Sequence, residues 1–228
     1  MSNTTTPTPA KDPFQITVRG RMSYPHLHQP QKPKKGQENN ADGPKAPKFG
    51  VQIICDKETD KEDIAKVKSG IKALCEKQWP GKTVQLSTGQ KIVTGTNAEK
   101  VILKGICLHD GTERDDQEGY GDGVMYISTS STRKPQIKTK QAGGLVDLPE
   151  SSGKPYGGCY AAHVIRLWAQ DNDFGKRINC EIAAVCFVKD GKPFGSAPVN
   201  VEESFADVEE SEPAGAAGPE TEPESEDW

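Results

Sequence analysis

No run in this sequence approaches the roughly 20 apolar residues that cross a bilayer. The first dozen residues, rich in Thr and Pro, lack the apolar stretch that heads a secretory signal. Aromatics are sparse, at 6% of residues, and apolar residues of all kinds reach only 33%. The six cysteines, at positions 55, 75, 107, 159, 180 and 186, contain no C-x-x-C pair. A zinc site needs ligands at short, paired spacing, and only His26-x-His28 and Cys180 with Cys186 come near it. Most cysteines lie inside apolar runs and read as buried, reduced thiols, which suits a cytoplasmic protein without a membrane partner. No P-loop, dinucleotide fingerprint or nucleophile elbow is present, and four scattered histidines offer no catalytic dyad. These absences predict no catalytic residues, no metal and no cofactor.

What is present is a charge imbalance along the chain. Residues 202–228 hold eleven acids and no base, and they end in Glu226-Asp227-Trp228. The whole chain carries 29 basic and 33 acidic groups, so residues 1–201 keep every base against 22 acids and stand at +7. The overall pI of 5.7 averages two opposite halves. A basic body with a tethered polyanion suits a protein that binds nucleic acid and carries its own competitor. The composition divides the chain into a flexible N-terminus (residues 1–12), one folded domain (13–201) and a disordered acidic tail (202–228). Part of the Pro-, Lys- and Gly-rich stretch 29–47 also reads as disordered.

The folded part is mainly β. Gln15–Met22 alternates, with Ile16, Val18 and Met22 facing one way and Thr17, Arg19 and Arg21 the other; Tyr24-Pro25-His26 ends this strand. Lys48–Cys55 is a second strand. Thr59-x-x-Glu62 has the form of a capping box, and Ile64, Val67, Ile71, Leu74 and Cys75 then recur at helical spacing until Pro80-Gly81. Lysines 61, 66, 68, 72 and 77 fill the remaining positions as a solvated face. Val101–Leu108, Val124–Thr129, Tyr160–Ala169 and Asn179–Lys189 read as strands. Asp190-Gly191 marks a turn into a last short strand near Phe194. One helix among these strands predicts an OB-fold-like antiparallel barrel of five to six strands.

Tyr160–Ala169 carries the clearest chemical signal. Tyr160, Ala162, Val164, Arg166 and Trp168 share one face, and Ala161, His163, Ile165 and Leu167 the other. Rings that accept any base and cations that track phosphates are what single-stranded nucleic acid requires. Trp168 as the cap of a barrel end and Arg166 as an ion-pair partner are the competing readings. Arg133-Lys134-Pro135, followed by Lys138 and Lys140 and preceded by Ser and Thr from 128 to 132, forms a basic loop suited to phosphates. Tyr156-Gly157-Gly158-Cys159-Tyr160 places two rings around a step where a base or a backbone can come close. Arg19, Arg21, Tyr24, Lys48, Lys176 and Arg177 complete the candidate nucleic-acid contacts. The acidic stretch Asp110–Asp122 does not fit a calcium loop and reads as a solvated hairpin loop.

The order of these pieces resembles the phage and prophage family of single-stranded DNA-binding proteins, with one OB-fold per chain. The resemblance rests on Tyr24-Pro25-His26-Leu27, Lys48-Phe49-Gly50-Val51, Arg133-Lys134-Pro135, Tyr156–Tyr160, Asp190-Gly191-Lys192-Pro193 and the acidic tail. Family members usually end in Phe, where this chain has Trp228. The resemblance implies sequence-independent coating of ssDNA in phage replication and recombination, inside the host cytoplasm. It also implies a tail that recruits replication or recombination partners through Glu226, Asp227 and Trp228. Duplex DNA is expected to bind more weakly, and a homodimer is compatible with the chain. Two other classes compete: a metal-dependent nuclease using Asp115, Asp116 and Asp122, and an acidic-tailed interaction protein.

Overall fold

The computed structural model describes residues 12–33, 35–36, 39–40 and 43–195. The expected flexible N-terminus, apart from Asp12, and the expected acidic tail with Glu226, Asp227 and Trp228 lie outside the described residues. In chain order the elements are β1 (Gln15–Gln31), β2 (Asn39–Asn40), β3 (Gly43–Pro44), β4 (Lys48–Asp56), α1 (Lys61–Gln78), β5 (Thr83–Leu86), β6 (Lys91–Val93), β7 (Lys100–Leu103), β8 (Gly105–Ile106), β9 (Leu108–Asp110), β10 (Val124–Ser131), β11 (Gln136–Gln141), β12 (Gly144–Asp147), β13 (Tyr160–Asn172) and β14 (Gly175–Lys189).

The fold is mainly β with one α-helix, as the pattern predicts. The sheet differs from a five- or six-stranded, wholly antiparallel barrel. The main sheet has nine strands in the order β12-β11-β14-β13-β1-β4-β10-β9, with β8 attached to β14. Two of its pairings, β11 with β14 and β8 with β14, are parallel. A separate three-stranded sheet runs β6-β5-β7. The expected strand Val101–Leu108 is broken at Lys104, whose N–H bonds to the Lys176 carbonyl. Its remainder serves two neighbours: β8 pairs with β14, β9 pairs with β10, and the Cys107 carbonyl between them accepts from Ser128 N–H.

β1 does not stop at Tyr24-Pro25-His26. It runs on to Gln31 across register shifts with β4 between Ser23 and His26 and between His26 and Gln31. Tyr24 adopts φ 48, so the irregularity falls where Pro25, which cannot donate to a ladder, would otherwise break the pairing. Residues 29–31, at the start of the stretch read as partly disordered, are therefore strand. No strand forms near Phe194 among the described residues; that segment is held by side chains and single backbone bonds instead.

The helix matches its periodicity but not its cap. Asp60 is the N-cap and makes no side-chain cap hydrogen bond. Thr59 lies in the preceding turn, where Asp56 Oδ1 accepts from the N–H groups of Glu58 and Thr59. Ile64, Val67, Ile71, Leu74 and Cys75 are buried, and the five lysines at 61, 66, 68, 72 and 77 are exposed. Gly70 lets α1 sit close to the sheet: a Cβ there would lie 2.7 Å from Ile16 Cδ1 and 2.9 Å from Leu167 Cδ1. The apolar stripe thus covers the inward ends of β1 and β13. Val18, Met22, Val51, Ile53, Ile127, Ile165, Ile178, Ile182 and Val185 continue the core across five strands. All six cysteines are free, and all but the half-buried Cys186 are buried.

Candidate nucleic-acid interface

The faces of β1 and β13 follow the alternation. Antiparallel pairing sets Arg21 beside Tyr160, Arg19 beside Ala162, Thr17 beside Val164 and Gln15 beside Arg166. Directly paired residues point to the same side. Arg19, Arg21, Tyr160, Arg166 and Trp168 therefore share one outward face, opposite buried Ala161, His163, Ile165 and Leu167. Trp168 is 45% exposed and Tyr160 38%. A bulge in β14 at Ala183 keeps Ile178, Cys180, Ile182 and Val185 all inward and leaves the β13 pattern undisturbed.

One end of this face is cationic and aromatic. The Arg21 guanidinium lies 4.0 Å above the Phe194 ring and 6.0 Å from the Tyr160 centroid. Lys189 Nζ lies 4.7 Å from the Tyr160 ring. Arg21 also donates from Nε to the Gly158 carbonyl at 2.8 Å and from its terminal nitrogen to the Lys192 carbonyl. Gly158 has φ 107, and a Cβ there would meet the Lys192 carbonyl oxygen at 2.2 Å. The glycine step thus admits a close backbone approach, and the visitor is the chain's own segment 190–195. The Tyr156 hydroxyl donates to Asp190 Oδ1 at 3.0 Å and accepts from Gly191 N–H at 3.2 Å. Lys154 pairs with Asp190 at 2.8 Å, and these two contacts hold the Asp190 carboxyl below its usual range.

Toward the other end, Arg166 sits in a network. Its guanidinium reaches Asp12 at 3.2 Å, Glu181 at 3.7 Å and the Gln15 amide oxygen at 3.2 Å. Glu181 also accepts from Ser131 Oγ, and Ser131 Oγ in turn accepts from Arg133 N–H. The network therefore ties the base of the Arg133 turn to the β13 face. Arg133 and Lys134 are exposed there and make no ion pair among the described residues. The second half of the expected basic loop is strand β11, in which Lys138 pairs with Asp147 at 2.7 Å and Lys140 is exposed.

Other sequence candidates stand apart. Lys176 pairs with Asp171 and lies over the Trp79 ring, whose Nε1–H also donates to Asp171. Arg177 is exposed where β14 meets β8. Tyr24 donates to Gln117 at 3.2 Å, and Lys48 pairs with Gln31 at the end of β1. Lys189 and Phe194 are missed by sequence reasoning, although alternation along β14 and the Asp190-Gly191 turn point toward them.

The acidic stretch joins the antiparallel strands β9 and β10 as a hairpin loop, with Glu113, Asp115, Asp116, Glu118 and Asp122 exposed, while other side chains pack on the sheet. Residues Gly111–Arg114 form a 3-10 turn, and Tyr120 and Arg114 pack over Tyr126. His109 stacks on Tyr126 at 4.7 Å, burying that ring between β9 and the loop. Asp110 is 2.9 Å and Asp122 3.7 Å from Lys57 Nζ. Hydrogen bonds from Lys57 and Thr112 pull the Asp110 carboxyl down to about 2. These acids are organised around an ammonium, and no cluster of three or more metal-ligating side chains occurs among the described residues.

Comparison with known proteins places this geometry. Residues 15–214 match the model of the family described as Enterobacter phage Enc34, ssDNA-binding protein. The structure of the single-stranded DNA-binding protein from bacteriophage Enc34 in complex with ssDNA is 26% identical, with a TM-score of 0.60 over 80% of this chain and 90% of that one. Another structure of the Enc34 protein is 24% identical, with a TM-score of 0.56 over 84% of this chain and 90% of that one. A comparison with curated protein sequences gives no match. A family model matching most of the chain, on a fold shared with those structures, establishes that this chain belongs to the family of phage Enc34 ssDNA-binding proteins.

Proposed function

We propose that this chain is a phage single-stranded DNA-binding protein that coats its ligand without reading sequence. The observation that carries the proposal is the shared outward face of β1 and β13, where Tyr160 and Trp168 stand in the open with Arg19, Arg21 and Arg166. Bases stack on the rings, and the arginines with Arg133 and Lys134 neutralise phosphates. Stacking tolerates every base because every base has a π-face. Arg166 reaches phosphate by exchanging its pairing to the half-buried Asp12 and Glu181.

The finer architecture follows the same reading. We read the main sheet as a partly closed OB-type barrel; the segment carrying β8, Cys107 and β9, which pairs with β14 on one side and β10 on the other, supports this reading. Residues 202–228 act as an anionic competitor for the cationic face and as a recruiting segment, with Trp228 as an aromatic anchor. The setting is the host cytoplasm, and no described helix is long and apolar enough to cross a membrane. Titrating the full chain with labelled oligo-dT, mixed-sequence single strands and duplex tests the proposal. Equal affinity for the single strands and weaker duplex binding support it; duplex preference or no binding contradicts it.

A further inference from the structure

The outward face of β13 continues past Trp168 onto β14. Trp168 pairs directly with Asn179, and Gln170 with Arg177, so Asn179 and Arg177 stand on the Trp168 side of the sheet. Arg177 in turn pairs with Gly105 of β8, and the Cys107 carbonyl just after β8 accepts from Ser128 N–H of β10. A cleft of about 190 Å³ opens along this seam. Arg177 and Asn179 of β14, Ser128 and Ser130 of β10, and Gly105 of β8 are among its walls.

The chemistry of the cleft suits an anion. Among the described residues, no Asp or Glu lines it. Arg177 is exposed and makes no ion pair among them, whereas Arg166 is held by Asp12 and Glu181, and Lys176 by Asp171. An unneutralised guanidinium beside two hydroxyls and an amide is a donor set for a phosphodiester. No described Trp, Tyr or Phe lines the cleft, so it takes backbone and leaves stacking to Trp168. Gly105 keeps the floor low. Apart from its chain neighbours, a Cβ there would have only Arg177 Nη1 within 4 Å, at 3.6 Å, so the guanidinium lies over the glycine. We propose that this cleft is a phosphate subsite for the strand as it leaves Trp168. The subsite rests on the ssDNA reading and extends it: the bound strand turns off the β1–β13 face and crosses the seam between β14 and β10.

The test titrates the full chain and three variants with oligo-dT of about 16 nucleotides, the upper end of OB-fold site sizes, over a range of salt. Arg177→Gln removes the cation from an exposed position. Gly105→Leu fills the cleft and leaves every charge in place. The third variant combines them. Each single change is expected to weaken binding about tenfold at low salt, the size of one charge-assisted hydrogen bond. Each should also lower the steepness of the log–log salt dependence by about 0.7, the value of one phosphate contact on a single strand. The double variant should bind no worse than the weaker single one, because both changes remove the same contact. Melting temperatures should stay near the parent's. Parent affinity in Arg177→Gln would overturn the subsite. So would weakened binding with an unchanged salt slope, losses that add in the double variant, or a Gly105→Leu chain that folds and binds as the parent does. A parent chain that binds no oligo-dT at all would instead overturn the ssDNA reading, and the subsite with it.

Discussion

Two residues on β13 separate surface chemistry from core chemistry. Trp168 projects outward, so Trp168→Ala should cost about 1–3 kcal/mol of ssDNA affinity through lost stacking. Its melting temperature should stay close to the parent's. A large fall in melting temperature with affinity intact would show that the ring serves packing instead. His163, five residues earlier, faces inward and is fully buried. Its Nδ1 lies 3.3 Å from the Val18 carbonyl, while Nε2 has no hydrogen-bond partner among the described residues. Burial lowers its pKa from 6.5 to about 4, since charging the ring would put an uncompensated cation in the core. Below about pH 6.5 the unfolded chain takes up a proton that the native core refuses, so stability falls as pH drops toward 4. The full effect is about 3 kcal/mol for a shift of this size. Denaturant melts between pH 7 and 4 should show the decline, and His163→Leu should flatten it; an equal slope in the variant would remove His163 as its source.

At the scale of elements, α1 and the Arg133 turn do separable jobs. Gly70→Val pushes a branched side chain against Ile16 and Leu167, and overpacking of this kind costs about 1–3 kcal/mol. Urea melts should register the loss, while the affinity of the folded variant for oligo-dT stays at the parent value. Reversing charge at Arg133 and Lys134 should do the opposite: weaken all single strands alike, flatten the salt dependence and leave stability unchanged. These elements also show what a sequence can carry. The α1 stripe and the two faces of β13 were legible because each burial pattern repeats within one element. The continuation of β1 past Pro25 was not, because a bulge interrupts the period. The parallel pairing of β11 with β14 leaves no local trace either. Nor does the link of Arg166 to Asp12, 154 positions away, or the burial of Tyr126 beneath Tyr120 and Arg114 from a loop rich in acids.

Across the whole molecule, charge separation dominates. Under the proposed function, the +7 of residues 1–201 and the eleven acids of residues 202–228 act on one ligand with opposite sign. Both halves of this charge separation are tested by titrating the full chain and a chain ending at Val201 with oligo-dT over a range of salt. Log affinity should fall linearly with log salt, at about −0.7 per phosphate contact for both proteins. The shorter chain should bind more tightly, most of all at low salt, where screening is weakest. An affinity independent of salt would contradict phosphate neutralisation on the β1–β13 face, and equal affinities at low salt would contradict competition by the acidic segment.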